Sequence, residues 1–198
     1  RDTPAMLKAA GLDWSVSLEE IELKAKTDKK YYEVIRDGYG PNADQNFGLG
    51  VVGQGYKLLQ NATAFGFVDG LVHGGGYWDV AGQYNHGRTV FGVLKFDNSI
   101  FLDPNGANDE IEDTMIFSTA HNGTGALAVA NAALRIRCMN SVTNSIRGAK
   151  RVYKVRHTTN LEGKMQVARE ALNLNRIYMD EFSKMANEMI AMELAPSA

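Results

Sequence analysis

The chain is poor in several features that would assign it to a class at once. It has a single cysteine, Cys138, which cannot form an internal disulfide, and a free thiol is typical of proteins in a reducing compartment. No run of 18 uninterrupted apolar residues predicts a membrane span. The first residues, RDTPAMLKAAGLDW, contain no basic stretch leading into an apolar one, so they predict no secretion signal. We therefore expect a cytoplasmic protein.

Residue spacings typical of metal and nucleotide sites are also absent. None of the histidines at 73, 86, 121 and 157 lies three or four residues from another, which is the spacing that metal-binding pairs commonly use. The glycine-rich stretch GLGVVGQG lacks the succession of strand, glycines and helix that a dinucleotide site requires. We expect no cofactor, no bound metal and no enzymatic activity.

One enzymatic alternative stays open. His121 follows a predicted strand and is either a base or phosphate contact, or a turn histidine hydrogen-bonded to the backbone. The acidic stretch from Asp103 to Asp113 predicts a solvated connection. A metal-dependent nuclease would combine His121 with this stretch, and a failure to cleave DNA with magnesium or manganese would exclude it.

Hydrophobic patterning predicts strands over most of the chain. Alternation over residues 14–23 and the run 29–37 predict a first hairpin, and residues 46–60 predict a short strand followed by a tight turn. Residues 77–97 predict two strands joined at the Asn85–His86–Gly87 turn, where Asn and Gly supply positive φ. Two further strands are expected at 114–120 and 134–138, and most aromatic rings are expected in the core.

Helices are predicted at three places. Asn61 is positioned as the N-cap of a helix of about eleven residues, and residues 141–153 predict a short helix. Residues 161–194 carry apolar side chains close to helical spacing, which predicts a long amphipathic C-terminal helical region. We expect one α+β domain over residues 1–198, with a curved, mainly antiparallel meander sheet packed against helices and a core over about 12–160.

One segment concentrates positive charge. Residues 133–160 hold seven of the 21 Lys and Arg residues and no Asp or Glu, although the net charge of the chain is -2. Cations without nearby acids gain affinity for nucleic acid by displacing the counterions of its phosphates. The alternative is a solvated face balanced in space by the acidic stretch 103–113. The basic residues are Arg135, Arg137, Arg147, Lys150, Arg151, Lys154 and Arg156.

The order of motifs along the chain resembles a known family. The motifs are Val52–Tyr56 with Gln60 and Asn61, His121–Gly123, Arg135–Asn140, and Arg156–Thr158. In this order, over about residues 12–175, they resemble a family of phage- and plasmid-encoded proteins catalogued as a domain of unknown function. HNG stands where that family often has His-Asp-Gly, and the missing aspartate argues against a carboxylate-dependent reaction there. At the level of the fold the chain is also similar to single-strand annealing recombinases, which form rings or filaments.

The resemblance and the basic segment together predict a protein that binds and anneals single-stranded DNA in recombination or replication of a phage or related element in a bacterial cell. Its partners would be single-stranded DNA and further copies of itself, with the C-terminal helical region as a subunit contact. The alternative is a self-assembling structural or host-interaction protein without nucleic-acid binding. The seven basic residues would grip phosphates, and the side chains expected beside the strand are Asn140, Tyr153 and His157.

Overall fold

The computed structural model describes residues 2–24, 27–69, 76–102, 109–132, 152–158, 160–161, 163–167, 170 and 188. In these residues the chain forms two antiparallel sheets with helices packed against them. No helix in these ranges is long and apolar enough to cross a membrane. Along the chain the elements are α1 (Thr3–Ala9), β1 (Val16–Glu20), β2 (Tyr31–Tyr39), β3 (Gln45–Gly53), α2 (Asn61–Asp69), β4 (Gly76–Tyr84), a 3₁₀ turn (Asn85–Gly87), β5 (Thr89–Leu102), β6 (Asp109–Ala120), β7 (Leu127–Ala132) and β8 (Val152–Val155).

Both sheets are meanders in which neighbours along the chain are neighbours in space. The first sheet has the order β1-β2-β3 and the second the order β4-β5-β6-β7-β8. The predicted α+β class with mainly antiparallel pairing is therefore confirmed. The prediction of one sheet is wrong, because the connection from β3 to β4 contains α2 and the two strands do not pair.

The two predicted hairpins are confirmed. β1 pairs with β2 in the register Val16↔Arg36, and β4 pairs with β5 across the predicted turn. In that turn φ is 52° at Asn85, 62° at His86 and 98° at Gly87. Asn and Gly tolerate this left-handed backbone, and His86 between them is held in it as well.

Helix α1 was not predicted, although the sequence at both of its ends carries common signals for the start and the end of a helix. Pro4 lies in its first turn, where a missing N–H costs nothing. At the other end Gly11 has a φ of 63°, the Gly11 N–H donates to the Lys8 carbonyl (3.2 Å), and the Leu12 N–H donates to the Leu7 carbonyl (2.8 Å). This pair of bonds is the Schellman motif, which ends a helix at a glycine.

The main core lies between the two helices and the five-stranded sheet. Phe65 of α2 meets Phe117 of β6 edge to face, with ring centroids 4.4 Å apart, and both side chains are fully buried. A second, smaller core lies on the three-stranded sheet and includes Val34 and Leu49. Trp14 packs against both cores, so it joins the two sheets.

Several predictions need correction. Residues Asp109–Asp113 belong to strand β6 and not to a solvated loop, and Asp109–Glu112 pair with the end of β5. Val152 and Tyr153 are strand residues rather than the end of a helix, and β7 was not predicted. The predicted strand 134–138 and residues 141–151 lie outside the described residues. So does most of the region 161–194, where the described part is helical at 161 and 163–167 and buries Leu161 and Met165.

Candidate functional site

A groove with a volume of about 830 Å³ runs between the end of β3, the turn after β6 and strand β8. β3 and β8 are edge strands of their sheets in the described part of the chain. No described strand pairs with the outer side of either one, and such an edge carries backbone N–H and C=O groups that a ligand can bind. The residues that line the groove are Val51, Val52, Gly53, Gly55, Tyr56, Gly123, Thr124, Gly125, Ala126, Ala128, Lys154, Arg156, His157 and Thr158.

Small residues allow the turn after β6 to lie directly on β3. The Asn122 side chain accepts hydrogen bonds from the Thr124 backbone N–H (3.1 Å) and hydroxyl (2.7 Å), which closes the turn. A Cβ on Gly50 would come within 2.9 Å of the Asn122 backbone, and Gly123 has a φ of 77°. Gly50 and Gly123 thus allow the close contact between β3 and the turn that forms this wall of the groove.

The described basic residues of the predicted site lie at the groove. Lys154 and Arg156 line it and are exposed, whereas Tyr153 is half-buried and packs partly against the main core. Among the described lining residues there is no Asp or Glu, and no described carboxylate forms an ion pair with either cation. The other predicted site residues lie outside the described residues: Arg135, Arg137, Asn140, Arg147, Lys150 and Arg151.

His157 lies under the groove and is fixed from both sides. Only 3% of it is exposed. Its Nδ1 is 2.8 Å from the Tyr56 hydroxyl and its Nε2 is 2.9 Å from the Thr119 hydroxyl. The His157 carbonyl accepts a hydrogen bond from the Lys57 backbone N–H at 3.0 Å. Because a neutral imidazole has one donor and one acceptor nitrogen, the two hydroxyls satisfy it without a charge.

His121 is fully buried next to this arrangement. The Asn61 Nδ2 donates to the Leu12 carbonyl at 3.0 Å, so the Asn61 Oδ1 faces the His121 Nε2 at 2.9 Å. The Nε2 must then carry the proton and donate it to Asn61. His121 Nδ1 has no hydrogen-bond partner among the described residues.

Two sequence predictions change with this geometry. Asn61 does not cap α2 with its side chain, because both ends of its amide are used by Leu12 and His121. The described helix spans the nine residues Asn61–Asp69, and the rest of the predicted eleven lie outside the described residues. The His121 side chain bonds to another side chain rather than to the backbone, while its backbone N–H donates to the Arg88 carbonyl at 2.8 Å.

Burial keeps the side chains of His121, His157 and Tyr56 neutral. It lowers the pKa of His121 to about 4, with a further contribution from His157, and it lowers the pKa of His157 to about 4. Burial also raises the pKa of Tyr56 to about 12. Charged forms of these side chains would lose their hydration under the groove. The site therefore presents cations only through exposed residues such as Lys154 and Arg156.

Three of the four motifs that carry the family resemblance converge here, and the fourth, Arg135–Asn140, lies outside the described residues. Tyr56 and His157 are 101 residues apart in sequence, and Asn61 and His121 are 60 apart. Gln60 also contributes, since its amide bonds both the N–H (3.0 Å) and the C=O (2.8 Å) of Val16 and so ties α2 to β1. Spacing along the sequence gave no sign of these contacts, and the roles of Tyr56, Asn61 and Thr119 were not predicted.

The chemical groups of the described site are buried neutral side chains below and exposed polar groups above. The two histidines are buried and their bonded nitrogens are held by neutral partners. Within the described ranges, no group of three or more His, Cys, Asp or Glu side chains is placed to hold a metal ion. The exposed part of the groove offers glycine backbone, threonine hydroxyls and cations, which are groups that bind phosphates.

The Asn61→Leu variant is expected to lower the free energy of unfolding by about 3 kcal/mol. Leucine is close to asparagine in volume, but it leaves His121 Nε2 and the Leu12 carbonyl buried without partners, at about 1–3 kcal/mol each. Urea unfolding monitored by circular dichroism measures the change. Asn46→Leu, the same substitution at an exposed position, is the control and should change stability by about 0.5 kcal/mol or less. Equal stability of the two variants would contradict the described network.

The fold and the groove define an α+β protein built from two antiparallel meanders, with a cation-lined groove above buried neutral histidines. The chain belongs to the family described as Domain of unknown function (DUF932), whose model matches residues 48–198. All the residues that line the groove lie in the matched range. No curated protein and no solved structure matches the chain.

Proposed function

We propose that this protein binds single-stranded DNA along the groove between β3 and β8. The observation that carries the proposal is the combination of Lys154 and Arg156 on a groove wall without a described carboxylate. Unpaired cations beside a groove attract phosphates and release the counterions condensed on them. The half-buried Tyr153 contributes little to stacking on this interpretation, because its ring packs partly against the core.

The other lining groups fit an extended strand. Thr124 and Thr158 supply hydroxyls, and the glycines let the phosphate backbone approach the protein backbone closely. Lys164 Nζ donates to the Thr158 hydroxyl at 3.0 Å, which brings a further cation to this rim. Val51, 57% exposed, offers an apolar surface for a base or sugar. These contacts involve the DNA backbone and the faces of bases or sugars rather than the hydrogen-bonding edges of the bases. We therefore expect little sequence specificity.

The proposal extends to strand annealing in recombination or replication of a phage or a related mobile element. A strand held by its phosphates keeps its bases free to pair with a complementary strand, and no covalent step is needed. Arg135, Arg137, Asn140, Arg147, Lys150 and Arg151 would continue the basic track. Copies of the chain would align their grooves in a ring or filament, with the C-terminal helical region as the subunit contact. Met165 docks this region in the core, and Val167 is 57% exposed for such a contact.

Reversing the groove cations should weaken DNA binding. The Lys154→Glu, Arg156→Glu double variant is expected to lose at least about tenfold in affinity for a labelled single-stranded oligonucleotide. The slope of log K against log salt should also become shallower by about 1.4, since each phosphate contact to a single strand contributes about 0.7. Fluorescence anisotropy at several salt concentrations measures both quantities.

A matched control distinguishes the effect of the groove cations on DNA affinity from the effect of a change in net charge. Lys24→Glu, Lys29→Glu makes the same change of charge at exposed positions between β1 and β2 that do not line the groove. It should stay within about threefold of the parent protein, because distant exposed charges are screened by salt. No binding at low salt, or equal loss in both double variants, would disprove the proposal. Self-assembly seen by light scattering without any effect of oligonucleotide would then support the structural alternative.

A further inference from the structure

A second cavity of about 570 Å³ lies at the other end of β3, where the turn from β2 to β3 meets the 3₁₀ turn. Its wall includes Arg36, Tyr39, Gln45, Gln83 and His86. No described carboxylate lines it. β3 spans nine residues from Gln45 to Gly53, or about 30 Å at the rise of a strand, so this cavity is separate from the groove.

Arg36 is a cation that the fold buries without an anion. It is 8% exposed and forms no ion pair with a described carboxylate. The neighbouring Asp37 is used elsewhere, since it accepts hydrogen bonds from the hydroxyls of Ser15 (2.9 Å) and Ser17 (3.2 Å). A buried charge without a counter-charge is costly, and burial correspondingly lowers the pKa of Arg36.

The surroundings of Arg36 hold its guanidinium in one orientation. Its Cζ lies 4.4 Å from the centroid of the Trp14 ring and 5.1 Å from that of Tyr39. Nη1 donates to the Gln83 side-chain oxygen (2.8 Å) and to the His86 carbonyl (2.9 Å). The positive φ of His86 belongs to the turn that presents this carbonyl. These contacts fix the Arg36 side chain in the wall of the cavity, whereas a surface arginine would be mobile.

One edge of the guanidinium meets no hydrogen-bond acceptor among the described residues. Arginine has five N–H groups, and the two on Nη1 are taken by Gln83 and His86. The Nε is buried and lacks a partner among the described residues, and no described acceptor meets Nη2. Nη2 is not among the enclosed atoms, so it is the guanidinium nitrogen that can donate to an oxyanion in the cavity.

We propose that the Arg36 cavity is a binding site for a phosphate group, held by the Nη2 of Arg36 with the amides of Gln45 and Gln83 around it. Because the Gln83 oxygen accepts from Arg36, its amide nitrogen is left to donate to a ligand oxygen. Gln45 lies opposite Tyr39 across the β2–β3 pair, at the mouth of the cavity. The phosphate is either free or part of a nucleic-acid strand, and this site does not depend on the groove.

The test follows the Arg36 Nε–H cross-peak by nuclear magnetic resonance during titration with inorganic phosphate, and separately with single-stranded DNA. The cross-peak is assigned by its loss in Arg36→Lys. Because substitution of a buried Arg36 can impair folding, the decisive variant is Gln45→Glu, which places a carboxylate at the exposed mouth of the cavity. We expect Gln45→Glu to weaken binding of the phosphate source by about tenfold or more, through repulsion or by occupying the site itself.

Asn46→Asp is the matched control, since it adds the same charge on the same strand with its side chain on the opposite face. It should stay within about threefold of the parent protein. A shift of the cross-peak by inorganic phosphate identifies a free phosphate, and a shift by DNA alone identifies a strand phosphate. No shift with either titrant, or equal affinity in Gln45→Glu and Asn46→Asp, would overturn the inference. If DNA binding is lost in the Lys154→Glu, Arg156→Glu variant, the result expected for phosphate binding at Arg36 does not change.

Discussion

Acidification to about pH 4 is expected to lower the free energy of unfolding by several kcal/mol. His121 and His157 are buried, and burial lowers the pKa of each from 6.5 to about 4. Between pH 6.5 and 4 the unfolded chain therefore binds more protons than the folded one, so stability falls as the pH falls. Above pH 6.5 the two neutral histidines make their full contribution to the free energy of unfolding. Lowering a pKa from 6.5 to about 4 corresponds to about 3 kcal/mol of folding stability for each histidine.

Urea unfolding at a series of pH values measures this dependence. The His157→Gln variant removes one titrating group, so the fall in stability across the window should be about half as large. His86→Gln, the same substitution at an exposed histidine, controls for the loss of a histidine as such. A free energy of unfolding that stays constant from pH 6.5 to 4 would contradict the burial of neutral histidines beneath the groove.

The Gly92→Val variant is expected to destabilise the protein by about 3 kcal/mol or more. Gly92 lies on β5, paired with Ala81 on one side and Phe117 on the other. A Cβ at this position would lie 2.6 Å from the Trp78 ring, 2.7 Å from the Phe117 ring and 3.0 Å from the Phe65 ring. Three packed rings cannot all move away, and overpacking of a core typically costs about 1–3 kcal/mol and sometimes more.

Gly53→Val is the matched control, because Gly53 is also a strand residue and nothing lies within 4 Å of an added Cβ. It should be close to neutral, or slightly stabilising since valine suits a strand better than glycine. Calorimetric melting temperatures of the two variants give the comparison. A Gly92→Val protein as stable as Gly53→Val would show that the aromatic cluster is not packed as described.

Local patterns predicted the hairpins well. Alternation indicated β1 and β2, and Asn-His-Gly indicated the turn between β4 and β5. The same reasoning missed β7, because LAVANA is rich in alanine and shows no alternation of apolar and polar residues. It also misjudged Asp109–Glu112, whose acidic composition is typical of a solvated loop but which pair with β5. Pairing with a neighbouring strand can override a weak local preference.

The candidate site was predictable only in part. Lys154 and Arg156 were found by their charge, since an acid-free basic segment is visible without a structure. The hydrogen bonds beneath them were not, because Tyr56 and His157 are joined across 101 residues. The buried Arg36 was also missed, since its strand gives no sign that the charge points inward.

By itself the sequence determined the local features of this protein: where most strands run, where the chain turns, and which segment gathers positive charge. These follow from side-chain periodicity, backbone preference and composition, which act over a few residues. Only the tertiary structure decided that the strands form two sheets and that the described family motifs meet at one groove. It also decided that His121, His157 and Arg36 are buried, because burial depends on contacts between residues far apart in the chain.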